Sequence, residues 1–108
     1  MAPLREPTYF VLASLIDGPL HGYGVIKRAA ELSDGRVRLS AGTLYGALDR
    51  LATEGAVRVD REERVSGRER RYYALTDAGA TVLAEEAKRL AASARVVEHR
   101  LSARVVTS

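Results

Sequence analysis

Near its end the chain carries an apolar seam that a domain of this size has little room to bury. Leu83, Ala87, Leu90, Ala94, Val97 and Leu101 stand alternately four and three residues apart. That is the heptad-like period of a helix lying along another helix, not the 3.6 of a helix on a globular core. A helix from Asp77 to Leu101 is about 37 Å long at 1.5 Å per residue. The chain has 108 residues, enough for one compact domain, so the far half of such a helix overruns it. The start is expected to pack along the chain's own first helix, and the remainder to pair with a second copy. Seam alanines allow close approach but bury little area, so Tyr9, Phe10 or Val11 of a partner's first helix is expected to contribute.

Upstream of the seam the pattern changes several times. Pro7 suits a first helical turn, Leu12, Leu15 and Ile16 follow at helical spacing, and Asp17-Gly18-Pro19 stops that helix. A second helix is expected from Gly22 to Leu32, with Val25, Ile26, Ala29 and Ala30 on its apolar face and Ser33-Asp34-Gly35 as its end. Val37-Arg38-Leu39 alternates and reads as a short strand. Ser40 reads as the cap of a third helix, whose Leu44, Leu48 and Leu51 form one stripe, closed by Gly55. Two alternating segments, Val57 to Arg61 and Arg70 to Leu75, flank the polar stretch Arg64-Val65-Ser66-Gly67-Arg68, which predicts a hairpin. Thr76 caps the final helix, with Asp77 favourably placed at its positive end.

This order predicts a mainly α fold with a small β-hairpin. It is a winged helix–turn–helix over residues 1–76 followed by a C-terminal dimerisation helix over 77–108. In such an architecture the third helix enters the major groove and the hairpin reaches the flanking backbone or minor groove. The exposed face of the third helix offers Ala41, Gly42, Thr43, Tyr45, Gly46, Asp49 and Arg50, with Ser40 at its head. Hydroxyls and amides at its start suit phosphates, and the small residues let backbone come close to DNA. Arg50 is the main long side chain able to read a base edge, and it lies toward the far end. Gly46 costs about 1 kcal/mol relative to alanine in a helix. Either it admits DNA or it avoids a clash with the second helix.

In the hairpin, Arg64, Arg68, Arg70 and Arg71 cluster around Ser66-Gly67, a basic tip suited to phosphate or a narrow minor groove. Asp60, Glu62 and Glu63 sit below the tip, and the competing account is a solvated hairpin whose opposite charges pair across strands; Glu69 weakens the basic patch. Tyr73 shares its side with Leu75 and is expected in the core. Tyr72 faces the other way, to pack on a neighbouring strand or to flank DNA. His21 is expected to make a local polar contact at the start of the second helix.

Enzyme chemistry finds no support. There is no cysteine, and His21 and His99 lie in different elements, so no metal set forms and no cofactor is expected. The adjacent pairs Glu62-Glu63 and Glu85-Glu86 diverge and make no acid/base dyad. The net charge of +3 and a pI near 9.6 permit a nucleic-acid partner without requiring one. The N-terminus lacks the basic-then-apolar run of a signal peptide, and no apolar stretch reaches membrane-spanning length. The expected compartment is the cytoplasm, with no membrane partner.

Three stretches resemble the PadR family of bacterial transcriptional regulators. They are Leu20-His21-Gly22-Tyr23; Gly42-Thr43-Leu44-Tyr45 with Leu48 and Arg50-Leu51; and Gly67-Arg68 leading to Arg71-Tyr72-Tyr73, Leu75-Thr76 and Gly79. They stand in family order and cover residues from about 8 to 100. The resemblance implies an N-terminal winged helix–turn–helix and, in the short form, a single C-terminal dimerisation helix. It places Tyr23 with the DNA-binding residues. It further implies a homodimer on an inverted-repeat operator that represses nearby genes, relieved by a small aromatic or hydrophobic effector. Members that hold flat drugs between subunits use a tryptophan on the last helix, and this sequence has none. Many members have proline where Gly46 stands. The alternative function is a winged-helix protein-interaction module that does not read DNA sequence.

Overall fold

Local chemistry sets most of the element ends. The computed structural model describes residues 3–107, with side chains through Val105; Met1, Ala2 and Ser108 lie outside the described residues. Helix α1 spans Glu6–Ser14, with Pro7 in its first turn. It is tightened at its end by Leu15 and Ile16 amides that donate three residues back, to Leu12 and Ala13. Strand β1 is Leu20–His21. Helix α2 covers Gly22–Leu32, and His21 caps it by accepting the Gly24 amide on Nδ1 at 3.3 Å. Helix α3 covers Ala41–Thr53, and the Ser40 hydroxyl accepts the Thr43 amide at 3.2 Å. Strands β2 (Val57–Val65) and β3 (Arg68–Leu75) form the hairpin, and α4 runs over Asp77–Thr107.

Two expectations need correction. Val37-Arg38-Leu39 is not a strand. The Ser33 hydroxyl takes the Val37 amide at 2.9 Å, and Val37 itself is buried, so this segment is an irregular connection anchored at Val37, with Arg38 exposed. The third strand is β1, which lies before α2 and pairs antiparallel with β3, Leu20 opposite Tyr73 and His21 opposite Tyr72. The hairpin is also longer than its apolar alternation. Its strands continue to Val65 and Arg68, leaving Ser66-Gly67 as the whole turn, with φ of 51° and 78°. Two positive φ values in succession define the turn type that suits a twisted two-residue hairpin, and glycine supplies the second without strain. The sheet order is β1-β3-β2, with a register shift between Val59 and Arg61.

The core gathers one stripe from each element. Leu44, Leu48 and Leu51 of α3 meet Val11, Leu12 and Leu15 of α1 and its end, Val25 of α2, Val57 and Tyr73 of the sheet, and Leu83 of α4. Tyr73 is therefore core, as its side of the strand predicted. Leu83 is only 7% exposed. It belongs to this chain's own core and is withdrawn from the residues that can face a partner, and fully buried Val11 is withdrawn with it. Beyond Glu86 the helix leaves the body of the fold. Its 31 residues extend about 46 Å, and the molecule is 66 Å along its longest axis.

Candidate nucleic-acid interface

The stripe that buries Leu44, Leu48 and Leu51 fixes what α3 presents on its other side. Gly42, Gly46, Asp49 and Thr53 follow at i, i+4, i+7 and i+11, a ridge opposite the core and exposed along its length. A Cβ built on Gly42 or Gly46 meets nothing within 4 Å. Gly46 therefore does not relieve a clash with α2, and the surface around it is open.

A groove flanks each side of that ridge. On the hairpin side lies a groove of about 360 Å³ lined by His21, Tyr23, Tyr45, Arg68 and Arg70, among others. Tyr23 is 72% exposed and Tyr45 46%. A Cβ at Gly22 would collide with the Tyr45 hydroxyl, so the bare backbone of α2 gives that ring its resting place. On the α1 side a larger groove of about 900 Å³ includes Leu4, Thr8, Thr43 and Arg50. Arg50 donates to the Thr8 hydroxyl at 3.4 Å. The structure thus separates Arg50 and Thr43 from Tyr45 and the wing, with the glycine ridge between them. Ser40 and Ala41 are exposed at the head of the helix.

The hairpin sorts its charges. Arg71 pairs with Glu62 across the strands at 3.1 Å, and Arg61 pairs with Glu63 at 2.7 Å and with Asp60 at 3.2 Å. Arg64, Arg68 and Arg70 form no ion pair among the described residues. The charge pairing expected of a solvated hairpin is found in its middle, while the arginines without an ion pair lie toward its tip around Gly67, Arg64 opposite Glu69 and Arg70 opposite Glu63. Tyr72 packs on its neighbours, with the Arg61 guanidinium 3.9 Å above its ring and His21 edge-on at 5.5 Å. Sequence reasoning missed the Arg61 contact, because the register shift that brings Arg61 opposite Tyr72 leaves no mark in the pattern. His21 has its pKa lowered, first by desolvation and then by the nearby charge of Arg70.

The exposed part of α4 continues the seam. Leu90, Val97 and Leu101 are 42%, 57% and 55% exposed, Ala87 before them and Ala94 among them are also exposed, and Val105 extends the row at 75%. Phe10 is half-buried, with Tyr9 edge-on at 5.2 Å and Arg36 over its ring, while Tyr9 packs against the core. Glu86, at the boundary, is buried and ion-paired with Arg89, which together with the Leu4 backbone holds its carboxyl below the usual range. No group of His, Cys, Asp or Glu among the described residues could hold a metal ion.

Two helices, a capped third helix with an open outer face, and a hairpin with a cationic tip make a winged helix–turn–helix. The chain belongs to the PadR-like family of transcriptional regulators, whose model matches residues 11–85; the family is one of regulators rather than enzymes. The chain is 38% identical over 87 residues to the transcriptional regulator Rv3488 of Mycobacterium tuberculosis (strain ATCC 25618 / H37Rv), covering 81% of this chain and 78% of that one. It is 45% identical over 95 residues to an uncharacterized 37.1 kDa protein in transposon TN4556 of Streptomyces fradiae, covering 87% of this chain. It spans only 26% of that relative's length. Among solved structures, Bacillus subtilis PadR in complex with operator DNA is similar at a TM-score of 0.66 and 27% identity, over 75% of this chain and 46% of that one.

Proposed function

We propose that the chain is a homodimeric transcriptional repressor that binds double-stranded DNA at an inverted-repeat operator. The observation that carries this is the shared side of the molecule on which an open glycine ridge stands beside Tyr23, Tyr45 and the unpaired wing arginines. Phosphates are held by Ser40, Thr43, Tyr45, Tyr23 and the amides that begin α3, and by Arg64, Arg68 and Arg70 at the tip. Ala41, Gly42 and Gly46 let the helix sit deep in the major groove. Arg50 takes the backbone on the far side of the ridge, and Arg71 is a weaker contributor because Glu62 offsets its charge. Base reading by long side chains is sparse, so DNA shape carries part of the specificity.

Residues 1–76 serve as the DNA-reading unit and 77–108 as the dimerisation helix, whose first turns also complete the core. Ala87, Leu90, Ala94, Val97 and Leu101 pair with the same row of a second copy, with Phe10 at the margin and Tyr9 behind it. The exposed apolar row supports this pairing. The two reading helices then occupy half-sites about 34–36 Å apart. A small aromatic or hydrophobic effector held between the subunits changes that distance and releases the operator. Such a regulator works in the cytoplasm, and no helix among the described residues is long and apolar enough to cross a membrane.

The test is a footprint on DNA upstream of the protein's own gene and its genomic neighbours, followed by titration with candidate aromatics. Protection of an inverted repeat, lost on adding a compound, is the expected result. Protection indifferent to every compound removes the effector. Absence of any protected site, with binding to another protein instead, replaces DNA reading by a protein-interaction role.

A further inference from the structure

One hydroxyl joins the end of the reading helix to the start of the long helix. The Thr76 hydroxyl donates to the Gly55 carbonyl at 2.6 Å and accepts the Gly79 amide at 2.9 Å. The first bond holds the chain that leaves α3; the second caps α4. The Thr76 amide donates to the next carbonyl, Ala56, at 3.1 Å. On the α3 side those carbonyls are themselves fixed, because the Gly55 amide donates to Ala52 at 3.1 Å and the Ala56 amide to Leu51 at 2.9 Å, closing the helix end on itself. On the α4 side Gly79 is buried against the same place. A Cβ there would strike the Ala56 carbonyl and come within 2.9 Å of the Leu75 side chain. Backbone therefore meets backbone with no side chain between them, and Leu83 seats the following turn in the core.

We propose that Thr76 and Gly79 are positioning residues that make α3 and α4 one rigid lever. With no compliant segment between them, the packing of two α4 helices is transmitted through this joint to the separation and relative rotation of the two reading helices. Half-site spacing is then a property of this joint as much as of the seam. The inference rests on the dimeric DNA-binding function above, and it locates the spacing control in a residue that touches neither DNA nor partner.

The experiment compares binding of the full chain to inverted repeats whose half-sites are moved by one base pair in either direction. One base pair displaces a half-site by about 3.4 Å and rotates it by roughly 35°. The unaltered protein is expected to lose at least about tenfold in affinity for each shifted site, equivalent to about 1.4 kcal/mol. Thr76→Val keeps the shape and removes both hydroxyl bonds; its discrimination is expected to fall toward unity while binding to a single half-site is kept. Thr76→Ser is expected to restore the discrimination, which a general loss of stability would not allow. A Thr76→Val protein with the unaltered protein's spacing preference overturns the proposal. A second measurement does not depend on DNA: spin labels at Asp49→Cys and Arg95→Cys in one chain, diluted into unlabelled protein. A narrow distance distribution, broadened by Thr76→Val and restored by Thr76→Ser, supports the lever even if no operator is bound. A broad distribution in the otherwise unaltered chain sinks it, whatever the fate of the DNA-binding function.

Discussion

The Arg71 guanidinium reaches across the hairpin to the Glu62 carboxylate, 3.1 Å away, on the strand paired with its own. Its pKa is raised, by Tyr73 first and then by Glu62; the guanidinium is charged in either case, and it is the ion pair with Glu62 that partly offsets this charge before any phosphate arrives. Arg68 and Arg70 form no close ion pair among the described residues, although Arg70 stands opposite Glu63 and helps to lower its pKa. The four wing arginines are therefore unequal. Arg68→Ala or Arg70→Ala is expected to weaken operator binding and to lower the slope of log K against log salt by about 0.9 each, one phosphate contact apiece. Arg71→Ala is expected to lower it by less, and Glu62→Gln to raise the slope by releasing Arg71. Equal losses at Arg68 and Arg71, measured by anisotropy across a salt series, would show that the cross-strand pair does not shield.

Gly46 separates stability from function. Its position is helical, its φ is not positive, and an added methyl meets nothing within 4 Å. Gly46→Ala is therefore expected to stabilise the protein by about 0.5–1 kcal/mol while reducing operator affinity on the order of tenfold, or about 1.4 kcal/mol. A thermal melt and a binding isotherm on the same preparation check both halves. Unchanged affinity would mean that DNA does not approach α3 along the glycine ridge.

Legibility in the sequence followed the range of the forces involved. The α2 limits and the Ser40 cap could be read because they rest on bonds within three residues, such as Thr43 to Ser40. The core stripe Leu44, Leu48 and Leu51 could be read because helical period alone imposes it. Strand β1 could not, since two residues have no period and their strand character comes from Tyr72 and Tyr73, some fifty positions away. Val37 to Leu39 misled for the opposite reason: a local hydroxyl claims the amide that a sheet would have needed. The middle of the hairpin, Asp60 to Arg64, has no apolar alternation and is held by pairing and crossed charges. In the candidate interface the residue types were legible. Their division into two grooves was not, because Arg50 turns toward Thr8 through a tertiary contact.

The two ends of the seam should respond differently to substitution. Leu83 is in the core, while Val97 and Leu101 are more than half exposed. Leu83→Ala is expected to destabilise the fold by about 2–5 kcal/mol and leave the outer seam able to pair. Val97→Asp or Leu101→Asp places a charge on the outer seam and is expected to give monomers by sedimentation, with the winged body still folded by circular dichroism. A Val97→Asp protein that remains a dimer would move the interface off this face of α4.

His21 gives the free protein an acid sensitivity with a defined sign. Its Nδ1 accepts the Gly24 amide, a bond that requires the unprotonated nitrogen. Tyr72 stands against the ring and Arg70 is the nearby charge. Desolvation and then Arg70 lower its pKa from 6.5, so the unfolded chain takes up the proton first as pH falls. Stability from this cap is complete above about pH 6.5 and declines as pH drops through that value toward the lowered folded one. Glu86 acts in a separate, more acidic window. Its pKa is lowered from 4.5 by Arg89, so its contribution is present above that value and lost below it. His21→Asn keeps a capping acceptor without a titrating group. It is expected to lower absolute stability, through loss of the ring against Tyr72, yet to flatten the change in urea midpoint between about pH 7.5 and 5.5. The slope is the discriminating quantity, because loss of packing lowers the whole curve without tilting it. If His21→Asn leaves the slope as steep as before, the proton enters elsewhere and the His21 cap is not the source of the acid sensitivity.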